Sequence, residues 1–163
     1  MSDFPEHHIE ELHECLRKAD QKLAVAESCT GGLIGGAITS VPGSSDVFEG
    51  GVIAYTNAIK RKELHVSGAT LDKYGAVSEP VARQMVDGLC ASFEVPVGIS
   101  VSGIAGPSGG TEEKPVGLVY AGIRVYDQVD VIENIFEGDR ATVRERTVRT
   151  VLEELLDRLE TSG

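Results

Sequence analysis

The sequence predicts a three-layer α/β/α domain with a mixed sheet, ending in a β-hairpin and a C-terminal helix. Three observations predict it. Apolar runs of strand length (residues 22–26, 48–56 and 96–101) are interleaved with segments of helical period. Two β-rich runs, 118–125 and 129–136, are separated only by Tyr126-Asp127-Gln128, the spacing of a hairpin. The length, 163 residues, is that of one domain with a proper core, so residues 1–163 are expected to form a single unit. Strands alternating with helices favour parallel pairs and the hairpin adds antiparallel ones, hence a mixed sheet.

Taken in order, residues 8–19 carry Ile9, Leu12, Leu16 and Ala19 on one face and read as a helix with a Glu-rich outer side. The first strand, 22–26, leads into Glu27-Ser28-Cys29-Thr30-Gly31-Gly32, and a second helix is expected over 30–40. Each interior glycine of that helix costs about 1 kcal/mol relative to Ala. Tight packing is an adequate reason for Gly35 and Gly36. It is less adequate for Gly31 and Gly32 at the first turn, where a ligand's close approach is the sharper reading. The turn-rich stretch 41–46 precedes a strand over 48–56. Asn57 is a candidate cap for a short helix carrying Lys60, and a further short helix is expected over 70–73. Ser78-Glu79-Pro80 has the pattern of a helix start and opens a segment running to Phe93. The strand at 96–101 feeds the longest glycine-rich loop, 102–111. Asp139 caps the last helix, with Val143, Val148, Val151, Leu152, Leu155 and Leu159 on its apolar side.

Composition excludes several classes. Hydrophobic and charged fractions of 41% and 25% are those of a globular protein. A formal charge of -11 lacks the basic stripe that a nucleic-acid surface needs, so no nucleic-acid partner is expected. An anionic small ligand stays open, because a few cations and backbone amides can reverse the sign inside a pocket. No apolar run reaches a membrane span and Met1-Ser2-Asp3 does not read as a signal peptide, so no membrane partner is expected. Three widely spaced cysteines form neither a CxxC pair nor a disulfide framework, which points to a reducing cytoplasm. Cys15 and Cys90 read as core packing. Cys29 alone stands somewhere chemically suggestive.

Four places collect reactive or ligand-holding groups: Ser28 to Gly32, Gly43-Ser44-Ser45, Tyr55-Thr56-Asn57 with Lys60, and Ser102 to Lys114. Three of the four begin at or near a strand, and strand ends of α/β sheets are where ligands collect, so convergence on one crevice is expected. The Ser28–Cys29 pair stands at a strand-to-helix junction, where free amides can face an anion or a reacting carbonyl. The four histidines show no metal-ligand spacing and none accompanies a glycine junction. That argues against both a metal site and a Ser-His-Asp triad. A Ser28 nucleophile would then need Lys60 or Tyr55 as its base, the lysine with a lowered pKa. The 103–110 loop is either a nest of amide donors for phosphate or a plain surface loop. Arg140, at a helix start, is a candidate for phosphate or carboxylate and otherwise a surface charge.

These stretches, in this order, resemble the CinA carboxy-terminal-domain family, the nicotinamide mononucleotide amidohydrolases. The resemblance is carried by residues 26–32, Gly43-Ser44-Ser45 with Phe48, Tyr55-Thr56-Asn57-Ala58-Ile59-Lys60, and Gly75-Ala76-Val77-Ser78. Ser102-Gly103-Ile104-Ala105-Gly106-Pro107, Glu113-Lys114-Pro115-Val116-Gly117 and Gly138-Asp139-Arg140 continue it. It implies hydrolysis of the nucleotide's carboxamide to nicotinic acid mononucleotide and ammonia, a pyridine-nucleotide salvage step, with no metal and no cofactor. It places the nucleophile on Ser28 and the proton transfers on Lys60 and Tyr55. It makes Ser45, Ser102 and Arg140 pocket residues, and we add Thr30, Gly31, Gly32, Gly103 and Gly106 as expected substrate contacts. The small-residue helix face together with the resemblance implies a homo-oligomer, a dimer being favoured. The alternative from another class is a non-catalytic nucleotide-binding or regulatory domain using the same crevice.

Overall fold

Alternation along the first strand divides the molecule. In the computed structural model, which describes residues 4–162, β1 is Leu23–Glu27 and every one of its residues is buried. Leu23 and Val25 face one side of the sheet and Ala24 and Ala26 the other, as the two-residue period of a strand requires. The elements before and after it are α1 (Glu6–Ala19), α2 (Leu33–Ile38), a 3₁₀ turn (Ser44–Asp46), β2 (Phe48–Ile53), α3 (Asn57–Leu64), α4 (Gly68–Tyr74) and α5 (Glu79–Phe93). They continue with β3 (Val97–Gly103), β4 (Leu118–Val125), β5 (Gln128–Ile135) and α6 (Arg140–Ser162). The large-residue side packs under α1, α2 and α6, through Ile9, Leu12, Ile34, Val148 and Leu152. The small-residue side receives α5, through Val81, Met85, Val86 and Leu89. Small residues let α5 sit close: a Cβ on Gly98 would meet Cys90 Sγ at 2.5 Å, and one on Gly122 would meet Ala82 O at 2.8 Å.

The sheet order is β2-β1-β3-β4-β5. β1 runs parallel to both neighbours, with Glu27 opposite Ile53 of β2 and Val101 of β3. β3, β4 and β5 then pair antiparallel. This is the expected α/β sandwich with a mixed sheet, and it brings the C-terminal ends of β1, β2 and β3 side by side. No described helix is long and apolar enough to cross a membrane.

Boundaries differ from the sequence reading where backbone sign or a particular hydrogen bond decides. The helix expected over 30–40 starts only at Leu33, because Gly31 (φ 58°) and Gly32 (φ 109°) are left-handed and cannot belong to a right-handed helix. Thr56, not Asn57, caps α3, its Oγ1 accepting from Ile59 N at 3.2 Å. Ser78 occupies the cap position of α5 but donates its hydroxyl to Gly75 O instead. Asp139 does cap α6, accepting from Thr142 N at 2.9 Å. Gly35 packs against Glu27, Phe48 and Val25, whereas Gly36 borders open space, so packing within the chain explains the first glycine and not the second.

Candidate active site

β1 ends on Glu27, and the next residue, Ser28, starts a turn held from every side. Ser28 N donates to Val101 O of β3, and Gly31 N donates back to Ser28 O, both at 3.1 Å. The Glu27 carboxylate, 1% exposed, accepts from Ile34 N at 2.9 Å and Gly35 N at 3.0 Å, closing the first turn of α2. From α6, Arg144 donates Nε to Cys29 O at 3.0 Å and Nη2 to Thr30 O at 3.3 Å. The Ser28 side chain emerges from this rigid corner at the mouth between β1, β2 and β3.

Lys60 meets it there. It rises from α3 into the space beyond the end of β2 and is 1% exposed. Its Nζ lies 3.3 Å from Ser28 Oγ, 2.9 Å from Ala54 O and 3.3 Å from Tyr55 O. None of the ion pairs among the described residues includes it. Desolvation pushes its pKa below the ordinary lysine value, with the Cys29 thiol a smaller opposing influence. Nζ donates to all three oxygens, and loss of one proton would leave two N–H bonds for the carbonyls and a lone pair for the serine hydroxyl.

Cys29 is chemically quiet by comparison. It is buried, and its thiol is pushed up to about 11 by that burial, leaving almost no thiolate near neutral pH. A Cβ on Gly103 would come within 3.1 Å of its sulfur, so the thiol packs against the end of β3.

A crevice of about 200 Å³ opens over the Ser28–Lys60 pair. Its walls include Ser28, Lys60 and Tyr55, then Ser102 and Gly103 from β3, and Arg140 from the start of α6. Ser102 donates its hydroxyl to Ala76 O at 2.7 Å, which turns the oxygen's lone pairs away from that carbonyl. Arg140 ties the rim together: Nη1 donates to Gly106 O at 2.8 Å and Nη2 to the Tyr55 hydroxyl oxygen at 3.2 Å. Arg140 and Arg144 thus bring two guanidinium charges to one end of a chain whose net charge is -11.

Three of the four chemistry-bearing stretches converge as the topology demands, and one does not. Ser45 lies in the 3₁₀ turn before β2, and β2 runs parallel to β1, so Ser45 is at the opposite end of the strands from Ser28. Within this chain it is no part of the crevice. Thr30 is fully buried behind the turn, and Gly31 and Gly32 shape the turn without lining the crevice. The amide of Gly31, an expected substrate contact, is already committed to Ser28 O. Gly106 touches the site only through its carbonyl on Arg140. The outer part of the 103–110 loop, 107–110, is exposed and turned away from the crevice. Sequence reasoning included Asn57 and Ala105 only within the stretches 55–60 and 102–114, did not single out Ala76 and Val77 as lining residues and gave no role to Arg144. Asn57 sits one helical turn before Lys60, a spacing that puts both on one side of α3. Nothing local marks Arg144, whose partners are more than a hundred residues away. Among the described residues no group of three or more His, Cys, Asp or Glu side chains is placed to hold a metal.

Comparison with known proteins gives the same lineage as the motifs. A model of the CinA C-terminal domain matches residues 6–159. The chain belongs to the CinA C-terminal domain family. Curated CinA-like relatives include one from Gemmatimonas aurantiaca, 46% identical over 88% of this chain, and one from Thermotoga neapolitana, 47% identical over 95% of it. Those alignments take up only 33% and 38% of the two relatives, so this CinA-family chain spans about a third of their length. Solved structures match nearly end to end. A competence/damage inducible protein from Agrobacterium tumefaciens superposes with a TM-score of 0.92 at 40% identity, covering 98% of this chain and 99% of that one. The competence damage-inducible protein A of Klebsiella pneumoniae does so at 0.92 and 31% identity, covering 97% and 98%.

Proposed function

We propose that the chain hydrolyses the carboxamide of nicotinamide mononucleotide, releasing nicotinic acid mononucleotide and ammonia. The observation that carries this reading is the buried, ion-pair-free Lys60 amine at 3.3 Å from Ser28 Oγ. An amide is a weak electrophile with a poor leaving group, so its hydrolysis needs an activated nucleophile, an acid for the departing nitrogen and a donor for the oxyanion. Neutral Lys60 takes the Ser28 proton as Oγ bonds to the carboxamide carbon. The tetrahedral oxyanion is met by the Cys29 amide, the first peptide N–H beyond Ser28. The C–N bond then breaks as Lys60, now an ammonium, returns its proton to nitrogen, and ammonia leaves. Tyr55, whose oxygen accepts from Arg140, keeps its own hydroxyl proton for the same exchange. Water attacks the resulting ester through Lys60, and the carboxylate product departs as Ser28 regains its proton.

The nucleotide as substrate rests on the family resemblance and on the charge at the rim. The crevice, about 200 Å³, is below the roughly 300–1,000 Å³ of a site that encloses a whole ligand. It suits a pyridine ring with its carboxamide, leaving ribose and phosphate at the mouth beside Arg140.

The test is ammonia release from nicotinamide mononucleotide by the purified protein. Turnover is expected, abolished by Ser28→Ala and largely kept by Cys29→Ala. The reverse pattern would make the enzyme a thiol amidase. Tight binding with no turnover would replace the reading with a nucleotide-binding module.

A further inference from the structure

Arg144 reaches the Ser28 corner from outside the crevice, and the path of its hydrogen bonds runs to the reacting atoms. Its Nη2 donates to Thr30 O at 3.3 Å. The N–H of that same peptide unit belongs to Gly31 and donates to Ser28 O at 3.1 Å. The N–H of the next unit, Ser28 C=O to Cys29 N, is the amide adjoining the Ser28 side chain, and Cys29 lines the crevice. A cation at one end of two linked peptide units polarises both, since each donated bond strengthens the donor of the unit that accepts it. The second bond, Nε to Cys29 O at 3.0 Å, fixes the fork so that the guanidinium cannot slide along the turn. Arg144 is half-buried and takes part in no ion pair among the described residues, so its charge is not neutralised by a neighbouring carboxylate.

We propose that Arg144 is a positioning residue for the reaction, acting through the Thr30–Gly31 and Ser28–Cys29 peptides to orient the Ser28 hydroxyl and strengthen the Cys29 amide as oxyanion donor. It does not touch substrate. The proposal rests on Ser28 being the nucleophile, and it is independent of which amide is cleaved. Misplacing a reacting group by an ångström is worth on the order of a hundredfold in rate. Arg144→Ala is therefore expected to lower kcat by about that factor with KM changed little, because the ring and phosphate contacts lie elsewhere. Arg144→Lys, which can serve one carbonyl but not both, is expected to fall between the two.

The experiment measures labelling of Ser28 by a small fluorophosphonate, followed by intact mass, alongside ammonia release from nicotinamide mononucleotide. The wild-type chain is expected to label at Ser28. Arg144→Ala is expected to label about a hundredfold more slowly, with added methylguanidinium restoring several-fold of the rate. Restoration by a free guanidinium separates positioning from a merely structural role, which a small solute would not repair. Labelling of Arg144→Ala within twofold of wild type would overturn the proposal. So would a slow rate that methylguanidinium leaves unchanged, or a wild-type chain that never labels at Ser28. Normal labelling with no ammonia released would instead sink the substrate reading and leave the role of Arg144 standing.

Discussion

The Ser28 turn and the Ser44–Ser45 turn are made of similar materials, a serine within three residues of a glycine at a junction of helix and strand. They sit at opposite ends of β1 and β2, roughly 15 Å apart by strand rise. At the second turn the Ser44 hydroxyl donates to Val41 O at 2.6 Å and lies 3.2 Å from Ile38 O, finishing α2. Arg17 closes the turn by donating to Asp46 and Gly43 O. Each end also holds a buried base: Lys60 at the first, and at the second His13, whose Nε2 donates to Ile38 O at 2.8 Å. Burial lowers the pKa of both. The difference lies in what the base faces. His13 lies under a surface hollow lined by Glu10, Glu14 and Arg17 but meets only a backbone carbonyl, whereas Lys60 meets a hydroxyl on the wall of its crevice.

The sharpest break of this comparison is a pair of serine deletions. Ser28→Ala is expected to cut amide hydrolysis by about 10⁴-fold, the scale of losing a nucleophile, with the fold intact. Ser44→Ala is expected to leave kcat within twofold and lower stability by about 1 kcal/mol, the worth of one net hydrogen bond. Paired steady-state assays and urea melts read both. Equal activity losses would mean that the two ends are not functionally distinct.

The second test concerns the base. In the proposed mechanism the neutral amine is the competent form, so kcat/KM is expected to rise with pH as Lys60 loses its proton and to level off above its folded pKa. Because burial places that pKa below 10.5, the plateau begins below the range of an exposed lysine. Lys60→Met is expected to remove both the activity and the rising limb. A profile flat through this range in the wild-type chain would exclude Lys60 as the base.

Much of this arrangement was legible before any coordinates. The period-two and period-3.6 patterns placed the sheet and the helices, and strand ends placed Ser28, Tyr55, Lys60 and Ser102 near one another. Ser45 was misplaced for a definite reason: sequence marks that a serine stands at a strand junction but not at which end of a parallel strand pair the junction lies. Gly31 and Gly32 looked like room for a ligand, and their left-handed backbone instead delays the start of α2. Arg144 was invisible because its meaning is a contact across the whole fold. The lowered Lys60 pKa could be required by the chemistry, but only packing supplies the desolvation that produces it.

The smallest effect tests the quiet end. Burial pushes the folded pKa of His13 below the ordinary 6.5, with the Ile38 carbonyl, Asp46 and Glu10 opposing and Arg17 lowering it further. Between the folded pKa and 6.5 the unfolded chain binds more protons than the native one, and stability therefore rises with pH through that window. The contribution is whole above about pH 6.5 and is lost as pH falls toward the folded pKa, with a slope of at most about 1.4 kcal/mol per pH unit for one proton. His13→Gln retains an N–H donor for Ile38 O and cannot titrate, so its unfolding free energy is expected to vary less between pH 6.5 and 5 than that of the wild-type chain, at unchanged kcat. Identical pH slopes would show that His13 is free to accept a proton where it stands. A fall in kcat would show that the two ends of the strands are coupled, which the separate hydrogen-bond networks around Ser28 and Ser44 argue against.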